Sequence, residues 1–128
     1  MKKNLHRIIM SALLTVVATV AASAQCYIVG SDNQWKTNAA AAELTETATA
    51  GVYEGEVTFA EGAQYFTVTQ NLTTGDDDYD WATFNQHRFG PSAPDAMLLI
   101  NEPMAMIKGK DRSFKVPTAA TTYRMRVD

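Results

Sequence analysis

The chain is poor in the residues that staple a small domain or do chemistry in one. It has a single cysteine, Cys26, so no disulfide can form within it. Its two histidines are His6 and His87, and no Gly-x-Ser-x-Gly elbow or other nucleophile motif accompanies them. Basic side chains are scarce, with eleven Lys and Arg against fourteen Asp and Glu. Helical periodicity is also missing between the apolar runs, which leaves strands as the organising element.

What is present begins with an address. Lys2, Lys3 and Arg7 precede an apolar run from Ile8 to Val20, and Ala22-Ser-Ala24 supplies the small residues of a cleavage site. We therefore expect a signal peptide over residues 1–24, cut before Gln25. The run is short for a spanning helix, so no transmembrane span is expected once the leader is gone. The leader takes three basic residues and no acids. Eleven less three leaves eight basic residues against fourteen acidic, a net charge of −6 for residues 25–128. That balance excludes nucleic acid and anionic membrane surfaces as partners, since both need a basic footprint. Export to the periplasm, the cell surface or the medium follows. Cys26 has two readings, a buried thiol on the first strand or a lipid attachment site that Gln25 suits poorly.

The remaining length suits one domain with a modest core. Cys26 to Val29 reads as a strand closed by the turn cluster Gly30-Ser-Asp-Asn33, and Glu43 to Thr47 as a short edge strand. Val52 to Phe59 alternates, placing Tyr53, Gly55, Val57 and Phe59 on one face and Val52, Glu54, Glu56 and Thr58 on the other. After the turn at Ala60-Glu-Gly-Ala63, Gln64 to Gln70 alternates again, which predicts a β-hairpin with one apolar and one solvated face. Met97 to Ile100 reads as a strand buried on both sides, Met104 to Ile107 and Ser113 to Val116 as short strands. Thr121 to Val127 reads as a final strand with Tyr123, Met125 and Val127 inward. Met97, Met104, Met106 and Met125 read as core filler. Together these predict an all-β, immunoglobulin-like antiparallel sandwich over residues 25–128.

Candidate chemistry gathers between Gly75 and Gly90. Asp76, Asp78 and Asp80 have the spacing of a calcium loop, but Trp81 stands where the loop needs glycine and His87 where it needs a bidentate Glu. A solvated acidic tip is the expectation, with no metal and no cofactor. Glu54 and Glu56 lie roughly 7 Å apart on one strand face, within the range of glycosidase carboxylate pairs. An open sheet face offers no cleft to raise either pKa, so no enzyme is expected. Trp35, Tyr79 and Trp81 fall in loops where no alternation demands an aromatic. An exposed coplanar strip of such rings stacks on the C–H faces of sugars, and Asp78, Asn85 and Arg88 are polar neighbours able to bond the hydroxyls.

Several fragments, in order and spacing, resemble one known repeat. They are Tyr27-Ile-Val-Gly30 with Trp35 behind it, Gly51-Val-Tyr-Glu-Gly55, Tyr65-Phe66, Arg88-Phe-Gly90, Ser113-Phe-Lys-Val-Pro117 and Thr122-Tyr-Arg-Met125. The chain resembles the β-sandwich repeats of the SusE/SusF-like starch-utilisation binding proteins of the Bacteroidetes outer membrane. The resemblance implies a non-catalytic glycan-binding module acting on an oligo- or polysaccharide such as α-glucan, beside other glycan-uptake proteins. Trp35, Tyr79, Trp81 and Arg88 would be its ligand-binding residues. Members of that group carry several domains and a further pairing strand, so the resemblance also implies a truncated product or a first module, with an unpaired edge at the final strand. The other expectation is a structural or adhesive spacer with no ligand of its own.

Overall fold

Alternation becomes strand wherever the sequence carries it. In the computed structural model, which describes residues 7–11, 25–62, 64–118 and 121–128, nine strands and one short helix form among the described residues. In order they are β1 (Arg7–Ser11), β2 (Gln25–Gly30), β3 (Ala42–Glu46), β4 (Tyr53–Phe59), β5 (Tyr65–Thr69), α1 (Trp81–Phe84), β6 (Arg88–Pro91), β7 (Met104–Lys108), β8 (Phe114–Lys115) and β9 (Thr121–Val127). All pair antiparallel in one sheet of order β2-β3-β4-β9-β1-β7-β6-β5-β8, and a further β2–β5 pairing closes eight of them into a curled ring. The fold is all-β and sandwich-like.

The core lies inside that curl. Tyr53, Val57 and Phe59 of β4 are buried while Glu56 and Thr58 are exposed, and β9 buries Met125 and Val127 in the same rhythm. Phe59 and Phe66 meet with ring centroids 5.3 Å apart, and Phe66 stacks on Phe114 at the same separation. Burying such rings supplies most of the driving force in a domain this small. Cys26 is fully buried among them, and burial pushes its thiol well above the ordinary range.

Several local expectations are overturned. The strands flanking residues 60–64 do not form a hairpin: β4 pairs with β3 and β9, and β5 pairs with β2, β6 and β8. Both strands carry large apolar side chains, and they satisfy them by facing each other across the core, as the Phe59–Phe66 contact shows. The turn is held from outside. Asp32 accepts from the Ala60 N–H at 3.0 Å and Ser31 from the Tyr65 N–H at 3.3 Å. β3 is no edge strand, since it pairs with β2 and β4. Along β9, one neighbour is β4 and the other is β1, which comes from within the expected leader. Met97 to Ile100 is not a buried strand. Met97, Leu99 and Ile100 are each nearly half exposed, Leu98 alone enters the core, and Met97 makes one isolated bridge to Lys115. Glu54 is not solvated either, because Arg124 at 3.5 Å and Arg126 at 3.9 Å cover it. β1 lies within the expected leader, and the rest of residues 1–24 falls outside the described residues, as does Ala63 of the turn.

Candidate functional site

The outer face of β5 is where the fold departs from simple alternation. Thr67 and Thr69 are fully buried there, although an outward position on a sandwich strand is ordinarily wet. Two loops and α1 cover them. The first loop follows β2, where Asn33 accepts from the Gly30 N–H and donates to the Lys36 and Ala39 carbonyls. It carries Gln34 and Trp35 at φ 58° and 60°. Left-handed backbone costs a non-glycine residue on the order of 1–2 kcal/mol, and strain of this kind collects where a side chain must be aimed.

The second covering segment is the acidic loop and α1. Thr37, fully buried, ties it to the first: its N–H donates to the Asp78 carbonyl at 2.7 Å, its carbonyl accepts from the Thr73 N–H, and its hydroxyl accepts from the Asp80 N–H. Three of the loop's four aspartates have separate tasks. Asp77 accepts from the Tyr79 N–H, Asp78 pairs with Lys36 and Asn38, and Asp80 caps α1 by accepting from the Thr83 N–H. No group of three or more His, Cys, Asp or Glu side chains with cation-binding geometry occurs among the described residues. The cap starts the single turn that buries Phe84 and presents Trp81.

Trp35 and Trp81 meet above Arg88. Their ring centroids are 6.1 Å apart and their planes tilt by 50°. Trp81 also meets Phe84 edge-on at 5.5 Å. The Arg88 guanidinium lies 6.0 Å from the Trp35 ring and 5.8 Å from that of Trp81. Together with Asn85, Asp111 and Ser113 these residues line a hollow of about 340 Å³.

Arg88 is the hub of this arrangement. It is 1 % exposed, and all five of its N–H donors are used inside the protein. Nε donates to Thr67 Oγ1 at 3.2 Å, and Nη1 donates to Asn85 Oδ1 and Asp111 Oδ1, both at 3.0 Å. Nη2 donates to the Arg112 carbonyl at 2.9 Å and to Ser113 Oγ at 3.1 Å. Burial lowers its pKa and Asp111 opposes that shift. Gly90 makes the arrangement sterically possible, because a Cβ there would collide with the Arg112 carbonyl.

Of the four residues singled out from sequence, the structure brings Trp35, Trp81 and Arg88 together and leaves Tyr79 outside. Tyr79 is 47 % exposed and does not line the hollow. The rings form a tilted pair in place of the expected coplanar strip. Asp78 also stands apart, held by Lys36 and Asn38. Asp111 and Ser113 were invisible to sequence reasoning, which reads Lys108 to Asp111 as a plain turn. Asp111 is 83 % exposed, so only one of its oxygens is committed to Arg88 and the other faces solvent. Comparison of the chain with protein-family models, curated proteins and solved structures finds no match.

Proposed function

We propose that this domain is a non-catalytic carbohydrate-binding module, exported and acting at the cell surface or outer membrane. The observation that carries the reading is the Trp35–Trp81 pair, held over a polar-rimmed hollow by strained backbone and a buried arginine. Aromatic faces stack on the C–H faces of a sugar, while the Asn85 amide, the free Asp111 oxygen and the Ser113 hydroxyl suit its hydroxyls. The volume lies at the low end of small-molecule sites, about 300–1,000 Å³. One or two sugar units fit better than a long stretch of polymer.

Charge narrows the ligand class. Arg88 and Asp111 compensate each other, so the hollow is close to neutral. The guanidinium beneath both rings opposes a cation there, and the exposed Asp111 carboxylate opposes an anion at the mouth. A neutral polyhydroxylated ligand fits both conditions. The resemblance to SusE/SusF-like repeats points to the same class. The competing reading as a spacer draws on the saturation of Arg88 and the complete burial of Phe84, which suit a packed cap.

Affinity electrophoresis through gels carrying soluble polysaccharides, backed by a glycan array, separates the two. The wild-type domain is expected to be retarded by at least one neutral glycan. Trp35→Ala and Trp81→Ala abolish that retardation, and Tyr79→Ala preserves it. A folded wild-type protein that no glycan retards would sink the binding reading.

A further inference from the structure

Trp35 and Trp81 come from separate loops, so their mutual placement is set where those loops are tied together. Lys36, Thr37 and Asn38 make the ties. Lys36 pairs with Asp78 at 3.6 Å with both side chains nearly half exposed, and Asn38 donates to the Gly75 carbonyl at 3.2 Å in an exposed position. Water weakens ties of that kind. Thr37 is different. It is fully buried, and its hydroxyl meets Thr73 Oγ1 at 2.8 Å, the Asp78 carbonyl at 3.3 Å and the Asp80 N–H at 3.0 Å. A hydroxyl has one proton and two lone pairs. Donating to the Asp78 carbonyl while accepting from the Asp80 N–H and the Thr73 hydroxyl uses all three. The Thr37 backbone adds its N–H to Asp78 and its carbonyl to Thr73.

We infer that Thr37 is the positioning residue of the tryptophan pair, its hydroxyl fixing both rings from outside the hollow, which Thr37 does not line. The consequence for binding rests on the glycan reading, whereas the ring geometry does not. On one side, Thr37 follows Trp35 by two residues. Trp35 lies in left-handed backbone at φ 60° and is anchored in front by its own N–H, which donates to the Gly30 carbonyl at 2.9 Å. Such a conformation persists only while its surroundings impose it, and Thr37 supplies the anchor behind. On the other side, Asp80 precedes Trp81 and caps α1. By holding the Asp80 N–H, the Thr37 hydroxyl holds the start of the turn from which Trp81 projects. A methyl group in its place would leave the Asp80 N–H and the buried Thr73 hydroxyl without a partner at nearly unchanged volume. The rings would then lose their common reference while the aromatic layer of the core stays as it is.

Two indoles with centroids 6.1 Å apart and planes tilted by 50° couple electronically and give a paired circular-dichroism band, which Trp35→Phe and Trp81→Phe each remove. The test compares Thr37→Val and Thr37→Ser with the wild-type chain by that band, by thermal melting and by retardation in polysaccharide gels. Thr37→Val is expected to lose the band and the retardation while melting in one transition, with Tm lower by roughly 4–8 °C. Thr37→Ser keeps the hydroxyl and is expected to retain both. The positioning role is overturned if Thr37→Val keeps the band, or if Thr37→Ser loses it as Thr37→Val does. Failure of Thr37→Val to fold overturns it as well, because the residue then serves the whole fold, and so does a wild-type protein without the band. Loss of the band with retardation intact upholds the positioning and overturns the pair as the binding surface. If the wild type shows the band and no glycan retards it, the bands of the two variants still decide the positioning, and only the binding reading falls.

Discussion

The two faces of β5 are built on different principles although they belong to one five-residue strand. Inward, Phe66 and Val68 pack against Phe59 and Phe114 in a dry aromatic layer. Outward, Thr67 and Thr69 are equally buried, but under loops, an arginine and hydrogen bonds. Apolar residues would cover the outer face at less desolvation cost, because a buried charge is stabilising only when fully paired. The inner face makes the domain fold. The outer face accepts costly polar and strained components, which is the pattern of a site.

The sharpest way to break the contrast is from inside. Phe66→Ala removes a ring touching two others and is expected to cost about 3–5 kcal/mol, lowering the urea midpoint of the whole domain. Next is Arg88→Met, which keeps the length and removes the donors. Thr67, Asn85, Asp111, Ser113 and the Arg112 carbonyl lose a partner, for about 1–3 kcal/mol. The Asp111 contribution is reduced by its exposure. Glycan retardation should vanish while the inner core still melts cooperatively. If Arg88→Met binds normally, Arg88 does not organise the hollow.

Smaller effects sharpen the comparison. Trp35→Gly relieves left-handed backbone as it removes the ring, so Tm should shift little while binding is lost. A large fall in Tm would show that the indole serves packing. On the inner face, Cys26 responds to pH. Its folded pKa is raised by burial, so its contribution is complete below the unfolded thiol value, about 8.5, and is lost as pH rises above it. Tm should decline from about pH 9 upward, and less steeply in Cys26→Val. The same burial predicts that Cys26 reacts with thiol reagents only after unfolding.

Inner structure was largely legible in sequence because alternation is a local property. Tyr53, Val57 and Phe59 on β4, and Met125 and Val127 on β9, lie on the face their spacing assigns. Partner choice was not legible. The short linker at residues 60–64 suggests a hairpin, yet the large rings on both sides of it are better buried face to face than side by side. The site was half legible. Trp35 and Trp81 stand out because loops do not require aromatics. Nothing local marks Arg88 as buried, since its five acceptors come from β5, the end of α1 and the segment before β8. Asp111 and Ser113 gain meaning only through Arg88.

Trp35 and Trp81 are the only tryptophans in the chain, and both line the hollow, so indole fluorescence reads the site with no background. The most direct test titrates neutral oligosaccharides against this emission. A saturable change that parallels protection from acrylamide quenching, and that disappears with Arg88→Met, is the predicted result. Emission and quenching that stay constant across the full series, in a protein that melts cooperatively, would contradict the account.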